Sequence, residues 1–276
     1  MVALGEACNT LEPPVTEILS LLSRIAMADR AETVWALATA YFGRLGFARA
    51  NYGFTRFRSE RSIGDPDDAL FLTTCDAAFV AHYFRGNFYA RTPVFRWAAQ
   101  NQGARTWGWV AEALASGRLT PDEVDALREN AAIGVVAGVS ISFPDNSMRA
   151  KGALGLIADA GISAAQVDAI WAQQGAAMDC VAHMMHLKLI QFPIASKRRP
   201  LTARQAEALE WVADGKNAQD VALLMGVSAA MVEKHLRLAR DALQVDTTAQ
   251  AVAKAALLNL IFQRRPLTDR EAVAAG

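Results

Sequence analysis

Residues 217–236, NAQDVALLMGVSAAMVEKHL, decide how the C-terminal part of this chain is read. Two short apolar-periodic runs meet at Gly226, the spacing of two helices joined by a tight turn, a helix-turn-helix. Ala222, Leu223, Val227, Val232 and Leu236 are the apolar residues expected to fix the crossing. The second helix then presents Glu233, Lys234, Arg237 and Arg240, whose side chains are long enough to reach base edges and phosphates. The same residues would also suit the solvated face of a helical hairpin, and periodicity alone leaves both readings open.

Outward from this stretch the helical pattern continues in both directions. Thr202 with Gln205 forms a capping box ahead of AEALEWVADG, and TAQAVAKAALLNLI closes a helical module over 201–265. The preceding FPIASKRRP, residues 192–200, sets two prolines and a basic run between helical patterns and reads as a linker. RRPLTDREAVA echoes RRPLTARQAEA and starts a tail helix that runs into 266–276. From Lys197 to Arg265 eleven Lys and Arg face seven acids in a chain of zero net charge, an asymmetry that points toward nucleic acid.

Residues 1–191 carry a mixed pattern. EILSLLSRIAMA and AETVWALATAYFGRLG read as helices, ARANYGFTRFR and DALFLTTC as strands, and Asp76–Phe88 and Val94–Gln100 as helices. GVVAGVSISF (134–143) and GALGLIA (152–158) read as strands, and residues 163–192 as one long helix. Helices flanking an antiparallel sheet make an α/β/α sandwich, so the fold class is α+β with an all-α C-terminal module. At 276 residues and 53% hydrophobic content the chain supports two cores. Cys8, Cys75 and Cys180 are odd in number and scattered, which fits a reducing compartment rather than a disulfide framework. With no signal-peptide pattern and no apolar run long enough to span a bilayer, a cytoplasmic protein without a membrane partner is expected.

FYARTPVFRWAAQNQGARTWGW, residues 88–109, raises the question of function for the first part. Ten of the 22 aromatic residues fall between Phe71 and Trp109, a concentration that suits either a thick core or an apolar pocket.

Residues 201–261 resemble the LuxR-type helix-turn-helix over their whole length. The matching residues are Leu201, Thr202, Arg204 and Glu207, then Gly215 and Lys216, Val232 and His235, and Gln250 to Val252. The resemblance implies that the helix from Ser228 to Leu243 enters the major groove of a double-stranded DNA operator, with Glu233 and Arg237 toward the bases. Lys216, Lys234, Arg240, Thr247 and Thr248 are the candidates for phosphate contacts. It further implies a homodimer on a pseudo-palindrome, for which Val252, Ala255, Ala256 and Leu260 form a plausible contact stripe.

The first part resembles the autoinducer-binding domain of the same family, which takes acyl-homoserine lactones. Tyr83, Thr92-Pro93 and Trp107 stand at the family spacing of Tyr, Asp-Pro and Trp, while Gly134 and Gly138 match its Gly-x-x-x-Gly-Val strand entry. The implied ligand set is Cys75, Phe79, Tyr83, Thr92, Val94, Phe95, Trp107, Gly134 and Ser140, for a small-molecule signal and no cofactor. Two departures fall on polar contacts: Thr92 replaces the Asp that accepts the ligand amide N–H, and Phe79 replaces a Trp that donates to the lactone carbonyl. Tyr83, Ser140, Ser142 and Cys75 are the possible substitutes. Because a buried carboxylate is costly when its site is empty, Thr92 also implies a weaker dependence of folding on ligand.

Two alternatives remain. An orphan regulator of this type would bind a non-lactone ligand or work without one. A metal-dependent enzyme would use Cys180, His183 and His186, spaced by threes on one helix, although such residues more commonly serve as core.

Overall fold

The computed structural model describes residues 15–58, 64–144, 147–194 and 200–263. Linker residues 195–199 and the tail 266–276 lie outside the described residues. The chain divides into two compact units, one holding Phe71–Ile190 with the chain up to Thr55, the other holding Arg56–Leu70 with the chain from Gln191 on.

In the first unit, α1 (Val15–Met27) and α2 (Ala31–Arg44) precede β1 (Arg49–Thr55) and β2 (Leu70–Thr73), whose first residue the division assigns to the second unit. Then come α3 (Ala77–Phe84), a 3-10 segment (Arg85–Arg91), α4 (Pro93–Gln100), β3 (Gly103–Thr106), α5 (Gly108–Ala115) and α6 (Pro121–Ala132). β4 (Gly138–Ser142), β5 (Lys151–Ile157) and the long α7 (Ala164–Leu189) complete it. The five strands run in the order β2-β1-β5-β4-β3, antiparallel at β1–β5, β5–β4 and β4–β3.

Register assigns the two faces of this sheet. Tyr52, Phe54, Val139, Ile141, Leu154 and Leu156 share one face, and that face is dry: all six are buried beneath α7, which contributes Met178, Val181, Ala182, Met185 and Leu189. His186 of α7 belongs to this packing, stacked on Phe143 at 4.1 Å and hydrogen-bonded to the Tyr52 hydroxyl at 2.9 Å. The opposite face carries Asn51, Gly53, Ser140, Ser142, Ala153 and Gly155 in register, beneath α4. The α+β sandwich holds as expected, with several local differences.

The strand expected over 134–143 begins only at Gly138, because residues 133–135 turn back on the end of α6 through Gly134 N–H to Ala131 and Val135 N–H to Asn130. The strand expected over 68–75 is confined to Leu70–Thr73. The helix expected to reach Phe88 gives way at Arg85 to a 3-10 segment, since the chain must arrive at an extended Thr92 (φ −87°, ψ 139°) ahead of Pro93. β3, α5 and α6 were not anticipated; α6 nevertheless opens on a complete capping box, Thr120 with Glu123.

The second unit contains α8 (Ala203–Ala213), α9 (Ala218–Met225), α10 (Ala229–Leu243) and α11 (Thr248–Leu257). Capping boxes at Thr202, Asn217 and Thr247 start three of them, and the Ser228 hydroxyl starts α10. Ala208, Leu209, Val221, Met225, Val232, Leu236, Ala239 and Ala255 form the core. Within the same unit Asp68 meets Lys254 at 2.6 Å, two largely buried charges that neutralise each other.

Candidate ligand and DNA sites

Small residues pave the sheet face opposite α7. A side chain added at Gly53 would meet no atom within 4 Å, and one at Gly155 would meet only the Asn51 carbonyl at 3.9 Å. A packed core leaves no such room beside a strand centre. Asn51 is held in place by the Thr73 hydroxyl, which donates to its Oδ1 at 2.7 Å and in turn accepts the Cys75 N–H at 3.0 Å. None of Asn51, Gly53, Thr73 or Gly155 belongs to the expected ligand set; the alternation of glycine in NYGF and GALGLI is the signal that points to them.

Aromatic rings gather beside this floor. Phe79 and Tyr83 stack at 5.3 Å, Tyr83 meets Phe88 at 6.2 Å and Tyr89 at 6.0 Å, and Tyr89 meets Phe95 edge-on at 4.9 Å. Burial pushes the Tyr83 phenol far above its ordinary range, with Cys75 and Tyr89 adding to the effect, and burial likewise raises the Cys75 thiol and the Tyr89 phenol. All three therefore stay protonated and neutral near pH 7. Val94 follows Pro93 in the first turn of α4, half-buried, next to Phe95.

Thr92 is almost completely buried, 1% exposed, and caps α4. Its hydroxyl donates to the Tyr89 carbonyl at 2.8 Å and accepts the Phe95 N–H at 3.3 Å. A hydroxyl has one proton and two lone pairs, so one lone pair remains uncommitted.

Trp107 packs against β4. Its indole N–H donates to Ser140 Oγ at 2.9 Å, and its backbone N–H bonds the Gly138 carbonyl at 2.9 Å. Gly138 must be glycine here: a Cβ would lie 2.2 Å from the Leu156 carbonyl oxygen and 2.9 Å from the Trp107 ring. Ser140 keeps its hydroxyl proton for another acceptor, whereas Ser142 donates toward the Ala98 and Asn101 carbonyls and ties α4 to the sheet. Gly134 stands apart from all of these, in the exposed turn that closes α6, where its carbonyl accepts from Arg49.

In the second unit α9 ends at Gly226, whose left-handed conformation (φ 66°) lets the chain turn sharply into Val227 and Ser228. α10 buries Val232, Leu236, Ala239, Ala242 and Leu243, and its opposite face exposes Glu233, Lys234 and Arg237. Arg237 is held only by Asp241 at 3.4 Å, in a pair more than half exposed on both sides, so a better acceptor displaces it at little cost. Lys216 is exposed in the turn after α8. The remaining three have local partners: Arg240 donates to Thr248 Oγ1 at 2.9 Å, and the Thr247 hydroxyl caps α11 through the Gln250 N–H. The stripe expected to contact a second copy points mostly inward. Ala255 is fully buried, and Val252 and Leu260 pack on the core, because the apolar side of so short a helix is needed against α8 and α10. Ala249, Ala253, Ala256 and Leu257 face outward instead.

Cys180, His183 and His186 do not converge. Cys180 is exposed, His183 Nδ1 engages the Asp179 carbonyl at 2.9 Å, and His186 lies under Phe143; among the described residues no group of three His, Cys, Asp or Glu is placed to hold a metal. No described helix is long and apolar enough to cross a membrane.

Residues 30–189 match the family described as autoinducer binding domain, and residues 199–255 match bacterial regulatory proteins, luxR family. The transcriptional activator protein SolR of Ralstonia nicotianae is 27% identical over 222 residues, 79% of this chain and 87% of that protein. AnoR of Acinetobacter nosocomialis, also a transcriptional activator protein, is 22% identical over 247 residues, 87% of this chain and 97% of its own. Among solved structures, SdiA in complex with octanoyl-rac-glycerol superposes with a TM-score of 0.52 at 18% identity, covering 91% of this chain and 98% of that one. These relatives are regulators, not enzymes, which removes the metal-enzyme alternative. The chain belongs to the LuxR family of bacterial transcriptional regulators, an autoinducer-binding domain joined to a DNA-binding helix-turn-helix of the family's own type.

Proposed function

We propose that the protein senses an acyl-homoserine lactone or a closely related neutral, acyl-tailed signal between the aromatic wall and the glycine-paved sheet, and acts as a dimer on a pseudo-palindromic operator in the cytoplasm. The observation that carries the ligand reading is the open space over Gly53 beside rings whose polar groups are all neutral. Such a site takes up a ligand for its apolar body and orients it with few hydrogen bonds. Three groups are available for that: the spare lone pair of Thr92, the hydroxyl proton of Ser140 and the side chain of Asn51. The domain division follows the same reading, with 1–191 as signal domain, 192–200 as linker, 201–265 as DNA-binding domain and 266–276 as tail.

The committed hydroxyl of Thr92 favours a second reading, an orphan receptor for a non-lactone acyl compound. Mass spectrometry of small molecules extracted from purified protein, after exposure to acyl-homoserine lactones of graded length and to octanoylglycerol, separates the two. Retention of a lactone supports the first, retention of octanoylglycerol alone supports the second, and retention of neither overturns both.

A further inference from the structure

A separate cavity lies among α4, β3, α5 and the turn before α6. It is an open hollow of about 310 Å³, lined by Arg96, Arg105, Trp109, Ala113, Arg118 and Leu119. Three guanidinium groups around one hollow repel unless something balances them, and the balance here is incomplete. Arg96 is paired bidentately, its Nε and Nη2 reaching both oxygens of the buried Glu123 at 2.6 and 3.1 Å. Arg118 is paired less firmly, with Glu112 at 2.8 Å, because that carboxylate is 78% exposed. Arg105 has no acidic partner among the described residues; its guanidinium lies over the Trp109 ring, 4.7 Å from the centroid.

A guanidinium stacked on an indole is oriented by its face and keeps its edge of N–H donors free, the arrangement that grips a planar oxyanion. Arg118 Nη1 and Arg96 Nη1 have no partner in their own ion pairs and add donors from the other walls. The volume is roughly ten times that of one liquid water, so an oxyanion alone would leave most of it unfilled. Ala113, Leu119 and the Trp109 ring offer the remainder an apolar surface.

We propose that this cavity binds a small organic anion, a carboxylate or phosphate monoester carried on a compact aromatic or aliphatic body. The site uses none of the residues assigned to the signal, although Arg105 stands opposite Ser140 in the β3–β4 ladder.

Calorimetric titration of the full chain with phenyl phosphate, benzoate and inorganic phosphate tests it. One-to-one binding of an aromatic anion is expected, weakening as salt is added. Tighter binding of phenyl phosphate identifies the phosphate ester as the class, and tighter binding of benzoate the carboxylate. Arg105→Gln is expected to weaken binding by about tenfold or more, the loss of a charge-assisted hydrogen bond. Arg118→Gln should weaken it by a smaller factor. Both positions are exposed and leave the Arg96–Glu123 pair intact, so an unchanged melting temperature verifies folding. No saturable binding of either aromatic anion up to about 5 mM, or an Arg105→Gln affinity within about twofold of wild type, overturns the site. Inorganic phosphate binding as tightly as phenyl phosphate overturns the organic body.

Discussion

The Thr92 oxygen makes two hydrogen bonds, donating to Tyr89 and accepting from Phe95, and has a single lone pair left. Thr92→Val keeps the shape and removes both bonds. Loss of a helix cap costs about 1 kcal/mol, and loss of the hydroxyl's bond to the Tyr89 carbonyl, which still accepts the backbone N–H of residue 92, costs about 0.5–1.5 more. In a unit of this size that lowers the melting temperature by roughly 3–10 °C, at about 2–4 °C per kcal/mol. Thr92→Asp differs in kind. Aspartate caps a helix as well as threonine, but when ionised it has no proton for Tyr89 and sets a charge in a site that is 1% exposed. The empty protein should be less stable, while an acyl-homoserine lactone amide gains a charged acceptor. Thermal melts with and without lactone should therefore show a larger ligand-induced rise for Thr92→Asp than for wild type. An equal rise would mean that position 92 does not read the amide.

At the scale of elements, what was legible in the sequence was what is local. The caps at Thr202 and Ser228 and the glycine turn at Gly226 each act within a few residues, so the helix-turn-helix could be placed from its own stretch. Most of the floor of the proposed signal site could not: Ser140 follows from the family resemblance, but Asn51, Gly53 and Gly155 join it only through the β1–β5–β4 register, which sets Asn51 opposite Gly155. α6 is a different case, since its Thr120–Glu123 box was there to be read. The α10 face permits a direct test. Arg237→Ala should weaken binding to a specific operator by about 1–3 kcal/mol per half-site and relax base preference, as the loss of a guanine contact would. Lys234→Ala should instead weaken all sequences alike and reduce the salt slope by about one per bound copy. Electrophoretic mobility shifts across a salt series distinguish them, and identical behaviour of the two variants would remove the assignment of Arg237 to bases.

The whole molecule inherits a consequence from the neutrality of its proposed signal site. Cys75, Tyr83, Tyr89, Thr92, Trp107 and Ser140 place no charge beside the open floor, so an empty site carries no buried ion to compensate. What it lacks is apolar contact. Ligand should then act by mass action on a protein already folded: a signal at about 100 times its Kd adds about 2.7 kcal/mol to the first unit. The expected outcome is soluble, cooperatively melting protein expressed without any added lactone. On addition of ligand, the transition of the first unit should move by roughly 5–11 °C, taking about 2–4 °C per kcal/mol. Two measurements decide it, soluble yield with and without lactone during expression and calorimetric melts of the purified protein. Insoluble protein in every lactone-free culture, rescued only by ligand, would show that the empty floor is too costly to fold around and that neutrality at position 92 does not compensate for it.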